Sequence, residues 1–480
     1  MIRGDWNSLT AILVSLWCDV EDYITPRSDD PPKKIIEILR RYGINATFKV
    51  VAEKLRALET RQRQDVTAAL ATVDIGYHLN THSTHPTLYE YLGDKDLRTG
   101  AAEFFEREND GRNYVNRVLG RPPSCFGHPG SAWTPHVYPA LPKMGIPTYL
   151  DETPILNLHN SPYWYCNVLN LNGANSNFIL LDYFFEQPEG LNRIKKRFKQ
   201  IYKRLRRNGG VVSILLHPHT IVNSKFWDEV NFAKGKNPSS NEYVLPPPQP
   251  QETTERAYRD FEEFVKYMKG FPEVKFITAR DAVSIFKDHS KSYQFDLENI
   301  RKLARRTVRN IQYQETDGIC VSPAQIFSLM SAVAASYAET SELPKKTAAR
   351  TPLGPLAKTK TKGSRTMLTK RLLEVSRSVV DALDREGYIP TDVVVDNTTL
   401  SPQDYLATIC SLLVSITGGK IPRRISVKKG NLNQSKYVNR RALEKACRWI
   451  MLPEDFKAPR LLEQTLLQTW TLKPATATSN

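Results

Sequence analysis

The chain has 480 residues, a formal net charge of +16 and a hydrophobic content of 40%. This length is too great for one ordinary hydrophobic core and predicts two or three domains. The composition is that of a globular protein, and no stretch approaches the length of an apolar transmembrane helix. The positive charge favours anionic partners, although a solvated basic surface is the simpler explanation.

The six cysteines are scattered along the chain without CxxC pairs. This pattern argues against a disulfide framework and against a cysteine zinc site. The first residues lack the cleavage site of a signal peptide, and their short apolar stretch runs directly into acidic residues. We therefore predict a cytoplasmic protein.

The first part of the chain predicts alternating strands and helices. The apolar run from Thr10 to Cys18 predicts a buried strand, and residues 29–43 predict an amphipathic helix closed by a glycine. Residues 44–51 predict a second strand, and a last strand–helix pair is predicted to end near Asp288. This alternation is typical of a parallel α/β sheet or barrel.

The composition changes after about residue 290. Ser322-Pro323 and Ser401-Pro402 each precede an apolar helical pattern, which indicates a weak internal duplication, although Ser-Pro is also a common helix start. The stretch between these patterns is rich in Lys, Thr and Pro, which is typical of a linker or exposed loop. The predicted divisions are a barrel over residues 1–290, a helical segment over 291–342, a basic linker or loop over 343–370 and a small, mainly helical domain over 371–480.

Carboxylates follow the first predicted strand. Asp19 and Glu21 are two residues apart, so an extended chain points both to the same side, whereas Asp22 points away unless the chain has turned. Two like charges persist side by side when a cation joins them or when one is protonated. The alternative is a solvated acidic loop.

The segment DIGYHLNTHSTHP concentrates three of the nine histidines. His78 and His82 are four residues apart, and on a helical turn this spacing places both imidazoles on one face, within reach of one ion. His85 is interpreted as a supporting group or part of the loop rather than as a third ligand. His217 ends the clearest strand, VVSILL, where a general acid can act. His219 shares its direction only if the strand continues past the intervening proline.

In this order, the motifs SLWCDVEDY, YGINATFKVV, DIGYHLNTHSTHP, CFGHPG and GGVVSILLHPH resemble those of the polysaccharide deacetylase family, the NodB-homology or carbohydrate esterase 4 group. The resemblance covers about residues 8–288. It implies an α/β fold, a distorted (β/α) barrel, here followed by a mainly α-helical C-terminal region. It also implies metal-dependent removal of an acetyl group, N-acetyl in first choice, from a sugar or polysaccharide. Zn²⁺ is the implied metal, with Co²⁺ or Mn²⁺ as alternatives, and an acetylated carbohydrate is the implied partner.

The resemblance implies a role for each of these motifs. Strand parity favours Glu21 as the acidic metal ligand, with Asp22 as second choice. The other implied roles are catalytic base for Asp19, metal ligands for His78 and His82, and general acid for His217.

One motif departs from the family pattern. The family carries an arginine after a phenylalanine, which helps to position the base, but Phe126 is followed here by Gly127 and His128. We expect His128 or a residue from another loop to substitute. His128, Trp133 and Asp151 are the predicted substrate-binding residues, although an aromatic side chain such as that of Trp133 also suits a hydrophobic core.

Two other functions fit the same sequence. The first is hydrolysis of another non-peptide C–N bond on the same barrel, and the missing arginine slightly favours it. The second is non-catalytic binding of a glycan. The chain carries no RNA- or DNA-binding signature, so a nucleic-acid partner is not expected.

Overall fold

The computed structural model describes residues 11–171, 176–185 and 187–477. Strands and helices alternate through its first part. The strands are β1 (Ile12–Val20), β2 (Thr47–Val50), β3 (Asp74–Tyr77), β4 (Cys125–Phe126), β5 (Thr148–Tyr149), β6 (Tyr163–Tyr165), β7 (Val168–Asn170), β8 (Phe178–Leu180), β9 (Gly210–Leu216) and β10 (Val274–Ile277). The helices are α1 (Asp30–Arg41), α2 (Ala52–Thr60), α3 (Gln64–Leu70), α4 (Leu88–Leu92), α5 (Leu97–Leu119), α6 (Asp182–Phe185), α7 (Gly190–Leu205), α8 (Trp227–Phe232), α9 (Gln251–Lys269) and α10 (Ala279–Ile285).

The second part repeats one pattern of elements and then adds a final segment. The strands are β11 (Gln294–Asp296), β12 (Gln314–Thr316), β13 (Ile319–Val321), β14 (Lys346–Ala348), β15 (Thr366–Leu368), β16 (Val393–Val395), β17 (Thr398–Leu400), β18 (Arg424–Ser426) and β19 (Lys473–Pro474). The helices are α11 (Leu297–Arg309), α12 (Pro323–Thr340), α13 (Thr369–Glu386), α14 (Pro402–Thr417), α15 (Arg440–Ala446) and α16 (Leu461–Gln468).

One sheet of eleven strands forms the centre of the first part. β1 lies in its middle, with β9 on one side and β2 and β10 on the other, all parallel to it. From β2 the order runs through β3, β4, β5, β7 and β6 to β19, and β8 forms the opposite edge beside β9. No pairing joins β8 to β19 in the part of the chain that the structure describes. The architecture is thus an α/β half-barrel rather than a closed ring of strands.

The predicted strands of the first part are present. The strand predicted from Thr10 to Cys18 is β1, whose nine residues are all buried, although Thr10 itself lies outside the described residues. The sequence analysis missed the β6–β7 hairpin. Its turn consists of Cys166 and Asn167, both with positive φ, and the pairing is antiparallel. Among these residues only the asparagine is a turn signal, which explains why the hairpin was missed.

The predicted internal duplication is confirmed by the order of elements. β11–α11–β12–β13–α12–β14 and β15–α13–β16–β17–α14–β18 follow the same plan, and in each the outer strands pair antiparallel around an inner hairpin. The hairpin turns place Asp317 and Asp396 at the same positive φ of 51°. Ser322 and Ser401 then cap α12 and α14 with a proline at the first helical position, as predicted. Both copies share one hydrophobic core.

The chain after the second copy contacts the first part again. Val438, Leu443 and Leu461 are buried in the core that surrounds the large sheet, while Trp470 is buried in the core of the repeats. The stretch 343–370, predicted as a linker or loop, includes β14 and β15. In the described residues, no helix combines the length and the apolar character that a bilayer-spanning segment needs.

A buried carboxyl on α5 makes stability depend on pH. Glu108 accepts hydrogen bonds from Tyr77 Oη at 2.6 Å and from the Asn80 backbone N–H at 2.8 Å. Burial raises the pKa of Glu108 to about 7. A carboxyl whose pKa is higher in the folded than in the unfolded protein loses its stabilising contribution as pH rises between the two values, about 4.5 to 7.

We therefore expect Glu108→Gln to be more stable than the parent at pH 8, by a larger margin than at pH 5. The amide oxygen still accepts from Tyr77 and Asn80 but carries no charge. The free energy of unfolding of the variant minus that of the parent should grow by up to about 3 kcal/mol from pH 5 to pH 8. Chemical denaturation of both proteins at the two pH values measures it, and a difference that does not change with pH would contradict the assignment.

Candidate metal centre and catalytic site

The carboxyl ends of β1 and β3 bring an acid and two histidines together. Glu21 Oε2 lies 3.1 Å from His82 Nε2 and 3.3 Å from His78 Nε2. All three side chains are buried, and one ligand atom of each lies within 4.8 Å of the others. The sheet places them there because β1, β2 and β3 are parallel neighbours, so their carboxyl ends share one edge.

The far side of each imidazole is fixed by an acceptor. His78 Nδ1 donates to the Gly127 carbonyl at 3.0 Å. His82 Nδ1 donates to Ser83 Oγ at 2.8 Å, because the Ser83 hydroxyl proton is used towards Asp228 Oδ2, also at 2.8 Å. Such partners orient metal-binding histidines in general. With Nδ1 engaged in this way, the Nε2 atom of each ring faces Glu21.

The residues fit a divalent cation. Burial lowers the pKa of His78, which favours the neutral ring. Its Nε2 and the Glu21 carboxylate are then both hydrogen-bond acceptors, so neither can donate to the other. His82 Nε2 is buried and has no hydrogen-bond partner. Burial opposes a charge on His82, but the Glu21 carboxylate outweighs it and raises the pKa of His82. Two imidazoles and one carboxylate form a donor set that suits Zn²⁺ and leaves positions for water and substrate.

The second oxygen of Glu21 has its own partners. Trp227 Nε1 donates to Glu21 Oε1 at 3.1 Å, and His219 Nε2 lies at the same distance from that oxygen. Burial opposes the ionised form of Glu21, but His82 and His217 outweigh it and hold the pKa of Glu21 well below its usual range. Glu21 is therefore a buried anion with several cationic or donor neighbours.

The structure separates the two candidate acidic ligands. Asp22 Oδ1 accepts from the backbone N–H groups of Ile24 and Thr25 at 3.1 and 3.0 Å, and Oδ2 accepts from Asn223 Nδ2 at 3.0 Å. The side chain of Asp22 thus fixes the turn after β1, while Glu21 faces the histidines. The metal-ligand role of Glu21, with Asp22 as second choice, stays a prediction.

A lysine lies beside Asp19. Lys49 Nζ lies 3.1 Å from Asp19 Oδ1 and 2.9 Å from Asp151 Oδ2. Asp19 and Lys49 are register partners on β1 and β2, so both project from the same face of the sheet. Burial opposes the charge of Lys49, but Asp151 and Asp19 outweigh it and raise its pKa. Lys49 is therefore a buried cation held between two aspartates.

His128 contacts this ion pair but not Asp19. Its Nδ1 lies 3.3 Å from Asp151 Oδ2 and 2.6 Å from Tyr149 Oη. The side chain that contacts Asp19 is Lys49 from the strand ATFKVV, and the substitution of the arginine by His128 or another loop residue stays a prediction. The two predicted substrate-binding residues His128 and Asp151 are both buried, with 2% and 3% exposure, and they support Lys49.

His217 lies on the other side of Asp19. Its Nε2 is 3.6 Å from Asp19 Oδ2, and its Nδ1 is 2.6 Å from Asp182 Oδ2. Burial opposes protonation of His217, but Asp182 and Glu21 outweigh it and raise its pKa well above the usual value. The side chain is 16% exposed, whereas that of Glu21 is 2% exposed. His217 is thus a protonated group at the solvent side of the cluster.

The histidine loop is not helical, contrary to the spacing argument. Residues 78–86 follow β3 as an irregular loop, in which Leu79 and His82 have φ of 68° and 58°. This backbone, not a helical face, turns both rings towards Glu21. His85 lies apart from the cluster, because its Nδ1 contacts Glu90 at 2.6 Å and its Nε2 contacts the Phe232 carbonyl at 3.1 Å.

Trp133 lies in the main core rather than in the site. It is fully buried, and its indole N–H donates to Tyr138 Oη at 3.0 Å. Tyr149, Trp164 and Tyr165 are also buried. These aromatics pack inside the protein, as the alternative interpretation stated.

The sequence analysis gave no site role to five residues that the structure places in the site. Lys49 and Asp182 were detectable as single charged residues in or after apolar strands, ATFKVV and FILLD. His219 was set aside because of the proline before it. Trp227 and its neighbour Asp228 carried no signal, since they approach Glu21 and His82 only through the long segment after β9.

Comparisons with known proteins gave no family assignment. No protein-family profile matches the chain, and no curated protein matches it in sequence. Among solved structures, Puue allantoinase has a TM-score of 0.39 and 14% identity, covering 57% of this chain and 89% of its own. A probable polysaccharide deacetylase from Pseudomonas aeruginosa PAO1 has a TM-score of 0.36 and 13% sequence identity, and the match covers 57% of this chain and 90% of that protein. A family 4 carbohydrate esterase from Streptomyces lividans, in complex with acetate, has a TM-score of 0.28 and 14% sequence identity, and the match covers 56% of this chain and 91% of that protein. TM-scores this low assign neither fold nor function.

Proposed function

We propose that the protein is a metal-dependent hydrolase that removes an acetyl group, N-acetyl in first choice, from a sugar or polysaccharide. The observation that carries this proposal is the convergence of Glu21, His78 and His82, whose free acceptor atoms face one another in a buried site. An acid–base pair, Asp19 and His217, lies beside them. The resemblance of the sequence motifs implies the roles of metal ligands, base and acid for these groups, which supports the proposal.

A divalent cation in this site would polarise the acetyl carbonyl and lower the pKa of a bound water. Asp19 accepts the proton of the attacking water, since its Oδ2 faces both His78 and His217 at 3.8 and 3.6 Å. Lys49 holds Asp19 in place from the other side. The Asp182 carboxylate favours the protonated form of His217. His217 then donates a proton to the leaving amine or hydroxyl of the sugar.

The metal content of the purified protein tests the proposal first. We expect one Zn²⁺, Co²⁺ or Mn²⁺ per chain by elemental analysis after incubation with each metal. His78→Ala and His82→Ala should each lose stoichiometric metal, because each removes one of three ligands. His85→Ala is the matched control in the same loop and should retain it. A parent protein that takes up none of the three metals would refute the metal site.

Acetate release identifies the reaction. The metal-loaded parent is incubated with N-acetylated and O-acetylated sugars and, in parallel, with cyclic amides. Released acetate supports deacetylation, whereas opening of a cyclic amide without acetate release supports the alternative hydrolysis of another C–N bond. Binding of the glycan without any product supports the non-catalytic alternative.

A further inference from the structure

β8 forms one edge of the large sheet and pairs only with β9 in the part of the chain that the structure describes. The Asn177 carbonyl and the Leu181 N–H face β9, to which they form hydrogen bonds of 3.1 and 2.9 Å. Because the direction of the backbone groups alternates along a strand, the N–H and C=O groups of Phe178 and Leu180 point away from β9. Among the described residues, these outward groups have no hydrogen-bond partner.

A groove of about 540 Å³ lies between this edge and helix α7. All three residues of β8 line it on one side. On the other side it is lined by Arg193, Lys196, Arg197 and Gln200. These four positions are spaced i, i+3, i+4 and i+7, so they form one face of the helix. None of the described lining residues belongs to the candidate metal centre.

Helix α7 is fixed in its position along the edge. Its apolar face, which includes Ile194 and Phe198, is buried in the main core. Arg197 and Arg204 each donate from Nη2 to the carbonyl of Ser176, directly before β8, at 2.9 and 2.6 Å. The helix therefore contacts one end of the edge and leaves the backbone groups of β8 itself open to the groove.

The wall that α7 contributes is cationic. The described lining residues include three basic side chains and no acidic one. The helix as a whole has seven Lys or Arg residues and no Asp or Glu. Lys196 is exposed and has no ion-pair partner in the described ranges. Pairing of two copies of this chain through their β8 edges would bring two such helices together, which like charges oppose. The wall therefore favours an acidic occupant over a second copy.

We propose that this groove binds an extended acidic segment of a partner protein, which adds a strand to β8 and directs carboxylates towards α7. In this mode of recognition, main-chain hydrogen bonds supply affinity and the flanking side chains supply specificity. Phe178 and Leu180 offer the main-chain groups, and Arg193 and Lys196 offer the positive charge. A nucleic acid would meet the same cations, but it has no main-chain donors and acceptors that match the spacing of a strand. The open edge therefore favours a peptide.

Fluorescence anisotropy with a labelled octapeptide that alternates Val and Glu tests the proposal on the full-length protein. We expect the parent to bind it, and added NaCl to weaken the binding, because salt screens exposed charges. Lys196→Glu should weaken binding about tenfold, because it reverses a charge on the groove wall. Lys199→Glu is the matched control, since Lys199 is an exposed lysine of the same helix outside the described lining. It should bind the peptide within about twofold of the parent.

A second peptide tests the strand pairing itself. The same octapeptide N-methylated at every residue keeps its carboxylates but has no backbone N–H to donate, and it should bind at least about tenfold more weakly. Equal binding of the two peptides overturns the proposal, as does no binding by the parent or an equal loss in Lys196→Glu and Lys199→Glu. An oligodeoxythymidine that binds more tightly than the peptide, and less tightly to Lys196→Glu than to the parent, would make the groove a nucleic-acid site and would also overturn it.

Discussion

Replacement of Lys49 by methionine is expected to destabilise the protein by about 3 to 5 kcal/mol and to slow turnover at least a hundredfold. The side chain is fully buried between two carboxylates, Asp19 and Asp151, with its ammonium 4.3 Å from the ring centroid of Trp17. Methionine fills a similar volume but leaves two buried anions without their cation. Removing one partner of a buried ion pair is costly because the remaining charge stays desolvated.

The loss of turnover should exceed what destabilisation alone causes. Lys49 fixes Asp19 from the side opposite to His217, so its removal frees the proposed base to move. The matched control is Lys473→Met, because Lys473 is also buried and pairs with Asp288 at 2.7 Å, at the edge of the sheet. Both variants should lower the free energy of unfolding, and only Lys49→Met should lower kcat in the fraction that remains folded. Equal kcat in the two folded variants would show that Lys49 is structural only.

Replacement of His217 by asparagine is expected to lower kcat about 100- to 10,000-fold, because the leaving group then has no acid. Asp182→Asn tests the same proton donor by changing the pKa of His217 while keeping its imidazole. Burial disfavours the imidazolium of His217, and the Asp182 carboxylate outweighs it and raises the pKa of His217. Without that charge the pKa of His217 falls, so the acid loses its proton at lower pH.

The alkaline limb of the kcat/KM profile should accordingly move to lower pH in Asp182→Asn and should disappear in His217→Asn. Asp65→Asn, at a surface carboxylate paired with Lys33 and Arg63, is the control and should leave the profile unchanged. Metal content measured for all three variants separates loss of the acid from loss of the metal centre. An alkaline limb that stays in place in Asp182→Asn would remove His217 from the role of acid.

The sequence was sufficient for the elements whose signals are local. Nine buried residues in a row make β1 visible as a buried strand, and Ser-Pro before an apolar helix made both copies of the repeat visible. The positions of Asp19, Glu21, His78, His82 and His217 at strand ends are local facts too. The carboxyl ends of parallel strands lie at one edge of a sheet, so these residues could be expected to lie close together even before the order of the strands was known.

What the sequence could not reveal depends on which strands and loops become neighbours. Lys49 pairs with Asp19 because β1 and β2 lie side by side in one register, and Asp182 reaches His217 because β8 pairs with β9. Trp227 joins the site through a segment about 200 residues after Glu21. Packing over the whole chain selects such pairings, and no local pattern encodes them.

The sequence by itself determined the chemical groups of the site: two carboxylates and three histidines at the ends of buried strands. Only the tertiary structure decided that Glu21 rather than Asp22 faces the histidines, that a lysine rather than His128 contacts Asp19, and that the chain after the second repeat packs into the core of the large sheet. The physical reason is the same in each case. A residue type fixes what a side chain can donate or accept, whereas backbone direction, strand register and long-range packing fix the partner that it meets.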